Sequence, residues 1–328
     1  MTIPRDHRQP GFRFSPSNFD GQSMVDSFSR LSASVHGGLL TFPVTHFHED
    51  YSFDEGGYRR HVDWLFNFGP SVLFAAGGTG EFFSLQPTEY EDVIRAAVSE
   101  TGNRVPVVAG CGYGSALAIE FARAAERAGA SALLLLPHYL IGAEERGIEA
   151  HVSAVCRSTG LGVIIYNRDN SILGPDSLTR LCDRHENLIG FKDGVGDIEL
   201  LARIRSRLGN RVFYIGGMPT HETYAAPYKA AGVANYSSAI FNFLPRFALD
   251  FYRAVQREDH LTVENGLREF VLPYLEIRNR RKGYAVSIVK AALACVGRSA
   301  GPVRPPLIDL TDRDMQDLRD LLDAVQLQ

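Results

Sequence analysis

The chain has 328 residues, of which 45% are hydrophobic and 22% charged, and its formal net charge is −4. This composition is typical of a soluble globular protein and gives no reason to expect nucleic acid or an anionic membrane as a partner. No run approaches the roughly 20 apolar residues that cross a bilayer. Residues 1–14 lack the apolar core of a secretory signal, and the four cysteines occur singly, so we expect a cytoplasmic protein with reduced thiols.

A strand-then-helix rhythm runs through most of the chain. Residues 1–36 are interpreted as an N-terminal extension, with a short helix possible at 23–31. Strands are predicted at 38–42, 72–76, 106–109, 132–136, 163–166, 188–192, 212–215 and 233–236. Such apolar runs, separated by segments of helical length, predict an α/β fold, a closed (β/α)8 TIM barrel over residues 37–258. A doubly wound sheet is the alternative.

Helix boundary signals support this reading and extend it to the C-terminus. The segment 115–128 is predicted to be a helix with Ser115 as its N-cap and Gly129 just past its end. Beyond the eighth strand, helices are predicted at 244–256, 261–278, 285–296 and 311–325, the last with a variant capping box from Thr311 to Asp314. We therefore expect a C-terminal helical region over residues 259–328, packed on the barrel.

Two neighbouring predicted strands each end in a reactive side chain, Tyr166 and Lys192. Only one helix fits between these strands, so the two side chains should emerge side by side in a parallel sheet. Burial among apolar neighbours would lower the pKa of Lys192 and let its amine attack a ketone, while Tyr166 would carry protons. Taken singly, the two residues are equally consistent with a surface lysine and a core aromatic residue.

The segments that follow other strands supply hydrogen-bond donors at the same end of the barrel. Strand two is followed by Gly-Gly-Thr-Gly-Glu at 77–81, where backbone amides and the Thr79 hydroxyl could hold a carboxylate or phosphate. The same pattern is typical of any tight turn. Tyr139 follows strand four, Gly217 follows strand seven, and Ser237 and Ser238 follow strand eight. These groups suit a polar acid as substrate.

Together, the motifs at 77–81, 166–167, 190–193 and 301–306 resemble the dihydrodipicolinate synthase / N-acetylneuraminate lyase family of class I aldolase-type barrels. The resemblance implies that Lys192 forms a Schiff base, that Tyr166 is the acid/base residue, and that Gly78 and Thr79 bind the carboxylate next to the ketone. Tyr139 matches a tyrosine that reaches a neighbouring subunit's site, which implies a homo-oligomer, a dimer of dimers. Packing at an interface without a catalytic role is the alternative for Tyr139.

Within the family, the chain is most similar to the branch of decarboxylating dehydratases. The implied substrate is a keto sugar acid, 5-dehydro-4-deoxyglucarate, which would lose water and carbon dioxide to give 2,5-dioxopentanoate with no metal or organic cofactor. The synthases have two threonines where this chain has Gly78 and Thr79, and their substrate-gripping arginine falls on Ser171 here.

The groups that hold the substrate's far carboxylate are less clear from the sequence. A tight arginine grip on a departing carboxylate would stabilise the ground state, so hydroxyl donors are expected there, from Ser84, Ser237 or Ser238. Arg168 could hold this carboxylate or could be a solvated loop residue.

Several other functions remain open. The first is a pyruvate-dependent lyase or synthase of the same family. A metal-dependent hydrolase is suggested by His46 and His48 after strand one, and a phosphosugar aldolase by Gly216 and Gly217. A non-catalytic sugar-acid-binding relative would be expected to have lost Lys192 or Tyr166. The glycines at 110–114 have the wrong spacing for a dinucleotide site and are interpreted as a turn.

Overall fold

The computed structural model describes residues 21–326, and these form a barrel of eight parallel strands. The first 20 residues of the predicted N-terminal extension lie outside the described residues. The strands are β1 Leu40–Thr41, β2 Val72–Ala75, β3 Val107–Cys111, β4 Ala132–Leu135, β5 Gly162–Asn167, β6 Leu188–Asp193, β7 Phe213–Gly216 and β8 Ser237–Ser238.

Neighbouring strands pair in the order β7-β6-β5-β4-β3-β2-β1-β8. The remaining seam, between β7 and β8, is joined by a parallel bridge from Gly216 to Tyr236 and by a hydrogen bond of 2.8 Å from Gly216 N to Asn235 O. The sheet is therefore almost completely closed, and the predicted (β/α)8 class is confirmed.

The eighth strand was predicted at 233–236, and this position is wrong. The Val233 amide donates to Tyr228 O at 2.8 Å, so Val233 still serves to end the preceding helix. Pairing with β1 begins only at Ser237, which is in register with Leu40. Ser237 and Ser238 thus lie within the strand rather than after it.

Helices alternate with the strands and continue beyond them. They are α1 Gly21–His36, α2 Glu55–Phe66, α3 Pro87–Thr101, α4 Ser115–Arg127, α5 Glu145–Cys156, α6 Pro175–Arg184, α7 Ile198–Leu208, α8 Ala225–Ala230, α9 Pro245–Arg257, α10 His260–Gly266, α11 Leu272–Arg278, α12 Tyr284–Cys295 and α13 Asp312–Gln326. A π-helical turn, Leu267–Val271, joins α10 to α11. No helix among the described residues is both long and apolar enough to cross a membrane.

Helix capping partly follows the predictions. Gly114, not Ser115, is the N-cap of α4, and the Ser115 hydroxyl lies 2.9 Å from His151 Nδ1 on α5 instead. At α13 the Asp314 amide donates to Thr311 Oγ1 at 3.2 Å, as the capping signal predicted. The Asp314 carboxylate accepts from the Thr311 hydroxyl at 2.7 Å, so the reciprocal bond uses the side chain rather than the backbone amide.

The segment between α12 and α13 is tied to the turn that follows β2. Arg304 N donates to Glu81 Oε2 at 3.0 Å, and the Arg304 guanidinium donates to Ser84 O at 2.8 Å. Glu81 is also paired with Lys290 of α12 at 2.7 Å. Helix α12 and the segment that follows it therefore fix the position of this turn.

Candidate active site

Lys192 lies inside the barrel, one residue before the end of β6, and only 4% of it is exposed. Its Nζ lies 4.0 Å from the ring centroid of Phe42 and 5.9 Å from that of Phe74, so aromatic faces from the opposite side of the barrel surround it. Ser237 Oγ accepts a hydrogen bond of 3.3 Å from Nζ. The amine is thus held in a dry setting with a single neutral hydrogen-bond partner.

The electrostatics of this setting favour the neutral amine. Burial, together with the positive charge of Arg168, lowers the pKa of Lys192 to about 7. Among the described residues, no carboxylate forms an ion pair with Lys192. Near neutral pH, a substantial fraction of the protein molecules therefore carries Lys192 as the unprotonated, nucleophilic amine.

Tyr166 is the register partner of Lys192 on β5, and its ring centroid lies 4.5 Å from Lys192 Nζ. Its hydroxyl donates to Gly217 O at 2.5 Å and accepts from Arg168 Nη1 at 3.1 Å. Burial raises the pKa of Tyr166, while Arg168 acts in the opposite direction. The phenol is therefore placed beside the amine with a hydrogen-bond geometry through which a proton can move.

Gly217 gives the lysine room to adopt this position. A Cβ at Gly217 would come within 2.7 Å of both Cγ and Cε of Lys192, a distance that side chains do not tolerate. Its amide donates to Asp193 O at 2.6 Å, which fixes the loop after β7 against the end of β6. Gly217 therefore acts through its backbone and its lack of a side chain.

Lys192 and Tyr166 open into a cavity of about 230 Å³ at the C-terminal ends of the strands. Its lining includes most of the residues predicted for the site, together with aromatic and apolar groups. The lining includes Phe42, Gly78, Thr79, Tyr139, Tyr166, Arg168, Asp169, Lys192, Gly217, Thr220, Ser237, Tyr274 and Arg278.

The three predicted serines are placed very differently. Ser237 lines the cavity and contacts Lys192, so it lies at the reacting end rather than at the far end. Ser238 faces the other side of β8, as alternation along a strand requires, and donates to Glu222. Ser84 does not line the cavity, and its carbonyl is held by Arg304. Ser84 and Ser238 are thus not among the residues that line the cavity.

Tyr139 adopts a left-handed backbone conformation, with φ of 63°, and lines the cavity of its own chain. Asn170 Nδ2 holds this conformation by donating to Tyr139 O at 2.9 Å. Burial raises the pKa of the Tyr139 phenol, so it is a neutral hydrogen-bonding group. Its predicted reach into a neighbouring subunit stays a prediction.

Two arginines make the cavity cationic, and the sequence pointed clearly to neither. The Arg168 side chain is 35% exposed but bonds to the Tyr166 hydroxyl, so it is not simply a solvated loop residue. Arg278, at the end of α11, was missed because nothing local distinguishes it from other helix-end arginines. Asp169, which pairs with Arg168, is the only acidic residue among those that line the cavity.

The signals for other chemistries do not converge in the structure. His46 is buried against Tyr58 and His61, whereas the side chain of His48 is 58% exposed. No three His, Cys, Asp or Glu side chains are grouped to hold a metal ion within the part of the chain that is described. Gly216 packs directly against the His221 ring, where a Cβ would come within 2.2 Å, so it offers no open phosphate seat.

The site and fold agree with comparisons to known proteins. Residues 35–325 match the model of the dihydrodipicolinate synthetase family. A protein of Bradyrhizobium sp. strain BTAi1, named probable 5-dehydro-4-deoxyglucarate dehydratase, is 58% identical over 90% of this chain and 94% of its own length. A protein of the same name from Saccharopolyspora erythraea is 59% identical over 90% of this chain and 96% of its own.

Among solved structures, dihydrodipicolinate synthase from Bacillus clausii superposes with a TM-score of 0.81 at 26% identity, covering 91% of this chain and 99% of that one. The chain thus has the barrel of an enzyme family of synthases and dehydratases, with a lysine and a tyrosine on adjacent strands facing a cationic cavity. The chain belongs to the dihydrodipicolinate synthetase family, and within it is similar to proteins named as dehydratases of a keto sugar acid.

Proposed function

We propose that this protein is a decarboxylating dehydratase that converts 5-dehydro-4-deoxyglucarate to 2,5-dioxopentanoate, carbon dioxide and water through a Schiff base on Lys192. The observation that carries the proposal is a buried lysine without a carboxylate partner, with a pKa of about 7, whose amine lies 4.5 Å from the ring centroid of Tyr166. The names of the relatives that are 58% and 59% identical support the choice of substrate.

The first step joins the substrate ketone to the lysine. Gly78 and Thr79 hold the carboxylate next to the ketone, which brings the carbonyl carbon to the Lys192 amine. The amine adds to this carbon, and loss of the carbonyl oxygen as water leaves a protonated imine. Tyr166 supplies and receives the protons, because its hydroxyl already lies in a chain from Arg168 to Gly217 O.

Dehydration follows because the imine withdraws electrons from the adjacent methylene. Tyr166 removes a proton from this carbon, and the hydroxyl on the next carbon leaves as water. A carbon–carbon double bond conjugated with the imine results. Arg168 stabilises the phenolate that forms in this step, since it donates to the same oxygen.

Conjugation extends the electron sink to the carbon that bears the far carboxylate. Its bond to that carbon breaks, carbon dioxide leaves, and the electron pair flows to the imine nitrogen. Two protonations and hydrolysis of the imine then release 2,5-dioxopentanoate and the free amine. The lysine itself supplies the sink that the two bond cleavages need.

A coupled assay tests the proposal. Purified protein is given 5-dehydro-4-deoxyglucarate and, in a separate reaction, pyruvate with an aldehyde, and carbon dioxide and the five-carbon product are measured. We expect equal amounts of gas and 2,5-dioxopentanoate from the first reaction only. Carbon–carbon bond formation without gas would instead identify a pyruvate-dependent lyase of the same family.

We also propose that the chain forms a homo-oligomer, a dimer of dimers, through the loop after β4. Leu140 and Ile141 in this loop are 95% and 69% exposed, which is unusual for adjacent large apolar side chains. Asn170 holds the loop by donating to Ile141 O at 2.9 Å. Light scattering should give about four times the chain mass, and a Leu140→Asp, Ile141→Asp double variant should give a smaller species.

A further inference from the structure

Arg278 is a partly buried cation that has no carboxylate partner among the described residues. Burial lowers its pKa, and the repulsion of Arg168 acts in the same direction, while Tyr274, Tyr224 and, last, Glu222 oppose the shift. Among the described residues no carboxylate forms an ion pair with Arg278, and Glu222 is engaged by Ser238. A guanidinium withdrawn from water in this way is costly unless an anion meets it.

The hydrogen bonds of Arg278 hold it in place but do not use all its donors. Nη1 donates to Thr220 Oγ1 at 2.7 Å, while Nε and Nη2 donate to Asn279 Oδ1 at 3.1 and 3.0 Å. These bonds engage three of the roughly five N–H groups that an arginine carries. A donor therefore remains on each terminal nitrogen, the arrangement that a carboxylate accepts.

Arg278 and the Gly78–Thr79 turn stand at separate places on the cavity wall. The turn follows β2, whereas Arg278 is bound to Thr220 in the loop after β7, and both line the cavity that contains Lys192. Arg168 is already committed to the Tyr166 hydroxyl and to Asp169. A substrate with a carboxylate at each end would thus meet one anion site at the turn and a second at Arg278.

From this arrangement we propose that Arg278, oriented by Thr220, binds the far carboxylate of the substrate and makes the enzyme selective for keto diacids over keto monoacids. The inference rests on the proposed function and adds the residue that recognises the second acid group. The hydroxyl donors expected at that end are replaced by a cation that the C-terminal helices contribute.

This role predicts a particular kinetic signature. The contact to Arg278 is made in the bound substrate and is lost when the carboxylate departs as neutral carbon dioxide. The contact therefore stabilises the bound substrate but does not lower the barrier to decarboxylation. Loss of Arg278 should raise KM for the diacid strongly and change kcat little.

The test compares Arg278→Gln, Arg278→Lys and, as a matched control, Arg281→Gln, an exposed arginine three residues further on. Each is assayed with 5-dehydro-4-deoxyglucarate, with the analogue whose far carboxylate is a primary alcohol, and with pyruvate. For pyruvate and the alcohol analogue, the readout is the concentration that half-saturates borohydride trapping on Lys192.

We expect Arg278→Gln to raise KM for the diacid about 100-fold while kcat changes less than about fivefold. Arg278→Lys should lie between it and the wild type, since it keeps the charge without the fork geometry. Half-saturation by pyruvate and by the alcohol analogue should be unchanged in every variant, and Arg281→Gln should match the wild type throughout.

An unchanged KM for the diacid in Arg278→Gln would overturn the inference, as would an equal loss of diacid, alcohol analogue and pyruvate binding. If Arg278→Gln does not fold, Arg278→Lys and Thr220→Val carry the same comparison. A wild-type enzyme that neither traps nor turns over the diacid would refute the proposed function itself. In that case the role of Arg278 is tested by measuring how strongly the diacid inhibits borohydride trapping of pyruvate, in the wild type and in Arg278→Gln.

Discussion

Two lysines are buried in the described part of the chain, Lys192 on β6 and Lys290 on α12, and they differ in their charged partners. Lys192 and Lys290 are 4% and 3% exposed, and each amine lies over a phenylalanine ring, at 4.0 Å from the Phe42 centroid and 4.2 Å from the Phe47 centroid. Burial lowers the pKa of both. Lys290 is paired with Glu81 at 2.7 Å, whereas Lys192 has Ser237 as its partner.

That one difference separates a structural group from a reactive one. Burial lowers the pKa of Lys290, but Glu81 opposes this shift and pairs with the amine, which makes the pair part of the scaffold behind the Gly78–Thr79 turn. Lys192 has no carboxylate partner in the described part of the chain, and the charge of Arg168 disfavours its protonated form. Burial alone therefore does not make a lysine nucleophilic, and the absence of a counter-charge is the deciding factor.

The largest expected effect is on catalysis, from Lys192→Met. Without the amine no imine forms, so turnover of the proposed substrate should fall at least about 10⁴-fold, measured as carbon dioxide release. The same variant should be more stable than the wild type, because it no longer buries an ionisable group that lacks a counter-charge.

The pH dependence of that stability gain sharpens the test. The folded pKa of Lys192, about 7, lies below its ordinary value of 10.5. Burial of the charged amine therefore lowers the free energy of unfolding of the wild type, and this loss is complete below about pH 7. The gain from Lys192→Met should therefore shrink as pH rises from about 7 towards 10.5. A variant less stable than the wild type at pH 7 would contradict the contrast between the two lysines.

Lys290→Met should have the opposite effect on stability. It leaves the Glu81 carboxylate buried without its cation, which should lower the free energy of unfolding by about 3–5 kcal/mol in chemical denaturation. Adding Glu81→Gln should recover part of the loss. If Lys290→Met instead abolished imine trapping in protein that is still folded, the assignment of the two lysines would be wrong.

Tyr166→Phe separates capture of the ketone from proton transfer. It leaves Lys192 in place, so borohydride should still trap substrate, but kcat should fall about 100-fold or more because the methylene proton has no acceptor. Rapid-quench measurement of dehydrated product resolves the two steps. Unchanged turnover in this variant would remove Tyr166 from the mechanism.

The smallest effect is expected from Arg168→Gln, in the pH profile. Activity should rise with pH through about 7 in the wild type as the Lys192 amine loses its proton. Removing Arg168 removes a repelling charge, so this acid limb should move to higher pH. A limb that stays in place would show that Arg168 does not act on the lysine.

Sequence reasoning predicted the positions of Tyr166 and Lys192 in the barrel more accurately than those of Ser238 and Arg278. Tyr166 and Lys192 lie at the ends of apolar runs with one helix between them, so their register pairing follows from local pattern and parallel topology. Gly78, Thr79 and Gly217 follow from the same rule about strand ends.

The placement of the other cavity residues depends on details that no local pattern encodes. Whether Ser237 or Ser238 faces inward depends on where β8 begins, and one residue of shift reverses the answer. Arg278 reaches the cavity from a C-terminal helix through tertiary packing alone. Glu81 belongs to the turn motif that was recognised in the sequence. Its ion pair with Lys290 is formed by tertiary packing and could not be predicted from the sequence.

Borohydride reduction with 5-dehydro-4-deoxyglucarate present, followed by mass spectrometry of the digested protein, tests the central claim most directly. The account predicts a reduced adduct on the peptide that carries Lys192, with the Lys290 peptide unmodified in the same sample. An unmodified Lys192 peptide, or an adduct on Lys290 instead, would contradict it.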